Sequence, residues 1–316
     1  SLLLNWLILF IELQMELKNK PLVSVIVNCF NSEEFILECI NSVLNQSYSN
    51  FEIIIIDNHS FDNTAKLIFS FDDNRIKYFS TESFISLGEA RNVGLSKVSG
   101  QIIGFLDSDD TWDNHKIKDS VNNFDSTVGL VYSDVLYFNE KTNFLLYSKR
   151  IAHEGLCYEK LLNDYSLCLS SCFFSAKIIL QNNIFFDKNL KVCEDYDFFV
   201  KISRVSKLKY IPKKLVNYRV HKNNLTNNNR LLFFEETLSV IEKLSDIKDS
   251  LRRRLISQNN FSKAVYYWKI NNNKDARKTL KEINFFSLKK IFYSLVFCIP
   301  IKYVLMIYKT NSLFED

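Results

Sequence analysis

Four consecutive isoleucines, Ile53 to Ile56, stand between Glu52 and Asp57. A β-branched run of this kind is stiff at χ1 and suits a strand. Because successive side chains of a strand point to opposite faces, the run is apolar on both, which requires a sheet covered on both sides. Such coverage comes from crossover helices, and the flanking sequence supplies them. Leu22 to Val27 reads as a first strand. A helix follows, with Phe35/Ile36, Cys39/Ile40 and Val43/Leu44 on one apolar face and Asn31 and Glu34 spaced as a capping box. After the strand at Phe51 to Ile56 come a helix from about Asp62, a short strand at Arg75 to Phe79, a helix from about Ser86 to Val98, and a strand at Gln101 to Leu106. The expected class is α/β, with a mainly parallel central sheet flanked by helices.

Beyond residue 107 the pattern is mixed. Gly129 to Phe138 reads as a strand, Phe144 to Cys172 as loop-rich with short elements, and Lys207 to Ile211 and Leu215 to Val220 as two short strands around Pro212. Past a polar linker, Asn223 to Asn229, three helices are expected at Leu231 to Leu244, Leu251 to Ile270 and Asp275 to Ile283. The organisation that results is an apolar extension over 1–20, a main domain over 21–225 and a helical C-terminal region over 226–316.

With 316 residues, 47% of them hydrophobic, the chain can bury a core for one large domain plus an appendage. A net charge of +4 is far from the pattern of a nucleic-acid binder. Seven cysteines without a Cys-x-x-Cys pair, and only four histidines, argue against structural zinc and for a reducing compartment. The apolar run Leu2 to Ile11 is too short to span a bilayer and lacks the basic leader of a signal peptide. Ile291 to Tyr308 has the length but contains Pro300 and Lys302 and is flanked by Lys289, Lys290 and Lys309. Residues 289–309 read as an interfacial helix or, equally, as a packed core helix.

Polar groups close successive strands: Asn28, then Asp57-Asn58, then Asp107-Ser108-Asp109-Asp110. Ligands of open α/β sheets bind at that edge. Two converging carboxylates there suit a hard divalent cation that also bridges phosphates, although an acidic turn capping the next helix is the plainer reading. An EF-hand calcium loop fits poorly, because Trp112 stands where the loop glycine is needed. The turn Asn28-Cys29-Phe30-Asn31 has no glycine, and neither a dinucleotide-binding nor a P-loop fingerprint occurs anywhere. A second acidic cluster, Glu194-Asp195-Tyr196-Asp197, opens a helix; spacing turns Asp195 inward with Phe198, Phe199 and Ile202, and Asp197 toward Lys201. Asp195 is either a general base or an acid complementing the helix dipole. His221 ends the strand that carries Tyr218-Arg219-Val220, as a ligand or as a surface residue.

In this order the segments resemble a family 2 glycosyltransferase with the GT-A nucleotide-sugar fold. The resemblance runs through Val23 to Val27, Ser42 to Tyr48, Glu52 to Asp57, Ala90-Arg91-Asn92-Val93-Gly94, Phe105 to Asp110, Glu194 to Asp197 and Tyr218 to His221, about 200 residues in all. It implies that Asp109 ligates Mn2+ or Mg2+, that His221 reaches the metal or diphosphate, and that Asp107 contacts sugar or ribose. It also implies that Arg91 contacts the nucleotide, with Asn28, Phe30, Asp57, Asn58, Ser108 and Glu194 completing the donor site, and that Asp195 deprotonates the acceptor hydroxyl. Asn58 stands where the family often has an aspartate for the uracil N3–H; its amide oxygen is expected to accept that bond. The implied reaction is a metal-dependent, inverting transfer from a UDP- or dTDP-linked sugar to a saccharide or lipid-linked acceptor. Its setting would be surface polysaccharide biosynthesis, in the cytoplasm or peripherally at the inner face of the membrane. The acceptor is expected to meet residues 153–172 and the helical tail. A nucleotidyltransferase would need a glycine-rich basic turn after the first strand; a non-catalytic nucleotide-sugar-binding or scaffolding subunit would not need Asp107, Asp109 and Asp195 together.

Overall fold

The computed structural model describes residues 20–139, 143–148, 150–222, 224, 229–283 and 297. They fall into two compact units, one reaching Asn224 and the other starting at Leu225. In the first, β1 (Val23–Cys29), β2 (Phe51–Asp57), β3 (Ile76–Ser80) and β4 (Ile102–Asp107) are parallel and ordered β3-β2-β1-β4. The helices α1 (Ile36–Leu44), α2 (Thr64–Ile68) and α3 (Leu87–Leu95) cross between them. Alternate residues feed two separate cores. Ile26, Ile54, Ile56 and Phe105 join one, and Val25, Val27, Ile53, Ile55 and Leu106 the other. Both faces of the isoleucine strand are therefore buried, as its composition requires.

The rest of the sheet is mixed. β5 (Thr111–Trp112), α4 (Lys116–Val121), β6 (Val128–Phe138), β7 (Asn143–Leu145), α5 (Tyr158–Asn163), β8 (Cys172–Ser175), α6 (Ala176–Gln181), α7 (Glu194–Val205) and β9 (Lys207–Arg219) follow in sequence. The sheet continues β4-β8-β6-β9-β5, with β8 antiparallel to both neighbours and β6 parallel to β9. Two expectations are corrected here. The capping box does not form: α1 starts at Ile36 without a side-chain cap, while Asn31, at φ 48°, accepts from the Phe61 N–H. The two strands around Pro212 are one, because Ser133 opposes Ile211 and Asp134 opposes Lys214, leaving Pro212 and Lys213 in a bulge. A proline, having no N–H, is tolerated at such a site. The stretch from Phe144 to Cys172 is loop-rich with short elements, as read, and leads into β8 in the middle of the sheet.

Several close approaches need glycine, two of them where layers pack together. A Cβ on Gly94 of α3 would lie 2.6 Å from Ile26 Cγ2, so glycine lets this helix settle onto β1. A Cβ on Gly104 would lie 2.9 Å from the Phe173 ring, which packs at a tilt against Trp112, ring centres 5.0 Å apart.

The second unit contains α8 (Arg230–Lys243), α9 (Asp249–Lys269) and α10 (Asn273–Lys281), close to the three helices expected. Ala264, Trp268, Ala276, Leu280 and Ile283 form its core together with Phe297. Phe297 belongs to the apolar stretch 289–309 and stacks on Trp268; the remainder of that stretch, and residues 1–19, lie outside the described residues. Among the described residues no helix is long and apolar enough to cross a membrane. Among the described residues six cysteines are buried free thiols.

Candidate active site

The register of the parallel strands brings their polar ends together. Asn28 lies opposite Asp107, and Cys29 opposite Asp57. The β2 end is internally bonded. Asp57 accepts from the Ser60 N–H (2.9 Å) and the Tyr78 hydroxyl (2.8 Å). The Asn58 amide oxygen accepts from the Ile85 N–H (3.0 Å) and the Thr81 hydroxyl (3.2 Å), and its NH2 donates to Ile85 O (2.8 Å). An amide oxygen has two lone pairs. Both are engaged, so the open acceptor expected at Asn58 is instead a clamp on the loop at Ile85. Phe30 stands half out of the surface, its ring 4.7 Å from Phe84 and 6.0 Å from Phe61. Ser108 Oγ lies 2.8 Å from Ser32 Oγ, joining the β4 end to the turn after β1.

The β4 end is charged and shared among several elements. Arg91, buried on α3, donates to Asp107 Oδ1 (3.2 Å) and Glu194 Oε1 (2.6 Å). Asp109 Oδ2 lies 2.8 Å from His221 Nε2, linking the ends of β4 and β9. Asp110 is buried beneath them. It accepts from the Ser170 hydroxyl (2.6 Å) and the Arg219 N–H (3.0 Å). The Arg219 side chain donates to Asp109 O (3.1 Å) and Glu38 (2.6 Å) and lies over the Phe35 ring at 4.7 Å. Burial and the Asp107 charge raise the pKa of Asp109 against the pull of His221. Burial, then Asp109 and Asp107, push that of Asp110 well up.

Helix α7 supplies the other wall. Its Phe198, Phe199 and Ile202 anchor it in the core, and Asp197 pairs with Lys201 at 2.5 Å, as the spacing predicts. Asp195 Oδ2 accepts from the Tyr165 hydroxyl (3.0 Å) and Oδ1 from the Tyr196 N–H (2.7 Å). Burial raises its pKa, against the opposing effects of Arg91 and these two donors. Glu194 is raised to about 7, burial outweighing Arg91. Among the described residues Glu194 Oε2 and Asn28 Nδ2 are buried without a hydrogen-bond partner, leaving two polar atoms on this edge that a ligand or water can satisfy.

Among the described residues no group of three or more His, Cys, Asp or Glu side chains gathers as a metal cage. The Asp109–His221 pair nevertheless fits a divalent ion. Ligands at about 2.1 Å in an octahedron are roughly 3 Å apart along an edge, and Mg2+-like ions take few protein ligands and complete their shell from phosphate and water. Sequence reasoning overlooked Asp110, Ser170, Tyr165 and the side chain of Arg219. Asp110 and Arg219 sit inside motifs that were singled out, whereas Ser170 and Tyr165 carry no local signal.

The family described as Glycosyl transferase family 2 matches residues 24–187. An uncharacterised glycosyltransferase of Rickettsia prowazekii is 30% identical over 244 residues, 75% of this chain and 74% of that one. The UDP-Glc:alpha-D-GlcNAc-diphosphoundecaprenol beta-1,3-glucosyltransferase WfgD of Escherichia coli is 34% identical over 151 residues, 47% of this chain and 58% of WfgD. Among solved structures, S. aureus TarS 1-349 in complex with UDP-GlcNAc superposes with a TM-score of 0.64 at 19% identity, covering 83% of this chain and 80% of that one. The mannosyltransferase PcManGT from Pyrobaculum calidifontis, in complex with GDP-Man and Mn2+, gives a TM-score of 0.61 at 18% identity, covering 93% and 83%. At these identities the two structures speak for the fold.

Proposed function

The chain belongs to glycosyl transferase family 2, and on that premise we propose that the edge formed by β1, β4, α7 and β9 moves a sugar from a nucleotide-diphosphate donor to a hydroxyl, with inversion at the anomeric carbon. The observation that carries this reading is the Asp109–His221 pair at 2.8 Å, which draws two unlike metal donors from distant parts of the chain to one point. Asp109 and His221 would hold Mn2+ or Mg2+. When bound, that ion neutralises the departing diphosphate as a Lewis acid.

The remaining steps fall to the chain's own residues. Asp107, fixed by Arg91, orients the sugar or ribose, and Phe30 offers an apolar platform at the nucleotide side, with Asn28, Asp57 and Ser108 shaping the floor. Asp195 takes the proton of the acceptor hydroxyl as that oxygen attacks. Its raised pKa makes it a stronger base than an exposed aspartate, and Tyr165 holds its orientation. Arg91 keeps Glu194 against the start of α7, so one cation sets both the donor carboxylate and the helix that presents the base. The acceptor would be a saccharide or a lipid-linked glycan, as for WfgD. The pathway would be surface polysaccharide synthesis, at the membrane's inner face.

Isothermal titration with UDP, dTDP, GDP and CDP, each with Mn2+ and with EDTA, tests the site. Binding of one nucleotide that EDTA abolishes is the expected result. No binding of any of them by the folded protein overturns the transferase reading and favours a scaffolding role.

A further inference from the structure

Lys116 is fully buried, and neither donor binding nor base catalysis uses it. From α4 its Nζ donates to Ser133 Oγ on β6 (2.9 Å) and to Ser171 O (2.6 Å), and it lies 5.3 Å from the centre of the Phe173 ring. Among the described residues no carboxylate bonds to it. Asp119, on its own helix, pairs with Lys213 of β9 at 2.9 Å. Cys168 and Cys172, from the turn and strand packed against it, are thiols whose pKa values burial raises, so they are neutral at pH 7. Burial correspondingly lowers the lysine's own pKa to about 7.

Its acceptor Ser171 belongs to a single turn of 3-10 helix, Leu169–Ser171. From that turn the Ser170 hydroxyl donates to Asp110 Oδ2 (2.6 Å) and accepts from the Asp107 N–H (3.2 Å), while Ser170 O accepts from Trp112 Nε1–H (2.7 Å). The turn is thus held on one side by Lys116 and on the other holds the strand end that carries Asp107 and the buried Asp110. Asp110 in turn receives the Arg219 N–H, two residues before His221. An apolar side chain at 116 would leave the Ser171 carbonyl buried without its donor, a loss the turn can relieve only by moving.

We propose that Lys116 is a positioning residue: bonded to Ser133 and Ser171, it fixes the Leu169–Ser171 turn and, through Ser170, the placement of Asp107 and Asp110 at the donor site. The term donor site rests on the function proposed above; the clamp does not. As pH rises through the lysine's titration the cation becomes a neutral amine and the hold on the turn weakens. Turnover therefore declines on the alkaline side.

The test compares wild type, Lys116→Met and Ser133→Ala by nucleotide titration, by the pH profile of turnover, and by hydrogen exchange of the Asp107 amide corrected for intrinsic rates. Lys116→Met should weaken Mn2+-dependent nucleotide binding at least about tenfold, since small misplacements of binding groups carry large losses. It should also speed Asp107 exchange and lack the alkaline limb. Ser133→Ala, which removes one acceptor of the ammonium at little change in volume, should move that limb to lower pH. A folded Lys116→Met with wild-type affinity and wild-type Asp107 exchange overturns the proposal. If Lys116→Met does not fold, an unmoved limb in Ser133→Ala does so. Should the wild type bind no nucleotide, the transferase reading falls, and Asp107 exchange still decides the clamp.

Discussion

At the N-terminal edge of the sheet Glu52 is buried and fully bonded; at the C-terminal edge Glu194 is equally buried and half bonded. Glu52 takes hydrogen bonds from Ser24 Oγ (2.5 Å), the Ser99 N–H (2.8 Å) and Lys77 Nζ (2.5 Å). Burial raises its pKa, but these donors more than offset that, and the net shift is downward. Glu194 has Arg91 on one oxygen and nothing on the other, shares that arginine with Asp107, and lies beside Asp195; its pKa rises to about 7. One fold therefore handles buried carboxylates in two ways. The first edge minimises electrostatic cost and stabilises the sheet. The second concentrates four carboxyls with raised pKa, Asp109, Asp110, Glu194 and Asp195, where a cation and an anionic ligand can relieve them.

The strongest way to break this comparison is to change Asp195, the proposed base. Asp195→Asn keeps shape and the Tyr165 contact but removes the proton acceptor, so turnover should fall on the order of a thousandfold while nucleotide affinity holds. Initial rates and titration on the same preparation check it; unaltered turnover removes Asp195 from the base role. Next in size, Asp109→Ala should weaken Mn2+-dependent nucleotide binding by about tenfold to a hundredfold, in the range typical of damaged metal sites. Because it also relieves Asp110 of a like charge, the metal-free protein should melt no lower than wild type. A lower melting temperature with unchanged affinity would reverse both expectations and make Asp109 a structural acid.

The two edges also predict opposite pH slopes. Glu52 has a lowered folded-state pKa, so its contribution is present above its ordinary 4.5 and is lost as pH falls below that. Glu194 has a raised one, so its contribution is present below 4.5 and is lost as pH rises toward about 7. Glu52→Gln should therefore lower stability at pH 7 by about 1.5–3 kcal/mol, the usual worth of a hydrogen bond to a charged group, because the half-exposed Lys77 returns to water. Glu194→Gln should flatten the decline in melting temperature between pH 5 and 7, and it should lower turnover as Arg91 loses its anchor. Melting curves of both variants across that range decide between them.

The sequence carried much of this division and missed part of it for physical reasons. Ile53 to Ile56 can be soluble only inside a covered sheet, so the parallel half was legible from composition and period. Asp107, Asp109, Asp195 and His221 were legible as strand-end and helix-start residues, and the fold gathers their elements. β8 was not, because four residues, Cys172 to Ser175, are too few to show a period. Ser170 and Tyr165 act across 60 and 30 residues respectively, on Asp110 and Asp195, and nothing local marks such partners. Pro212 suggested a break, and the chain absorbs it as a bulge. Nothing in the sequence near Asn58 shows that its amide bonds Thr81 and Ile85, because these partners lie more than twenty residues away.

That last residue gives the smallest and sharpest test of the boundary between the edges. Although it sits at the C-terminal edge, Asn58 behaves like Glu52: every polar atom of its side chain is bonded within the protein. Asn58→Ala frees the Ile85 N–H and carbonyl, so stability should drop by about 1–3 kcal/mol, the cost of stranding partly buried backbone groups. Nucleotide affinity should change less than about threefold, under 1 kcal/mol, because no acceptor facing the ligand is lost. Thermal melting and titration of the one variant read both quantities. The reverse pattern, affinity falling more than tenfold with the melting temperature unmoved, would mean that a nucleotide base displaces the Ile85 loop on binding, and Asn58 would then belong with Asp109 and Glu194 rather than with Glu52.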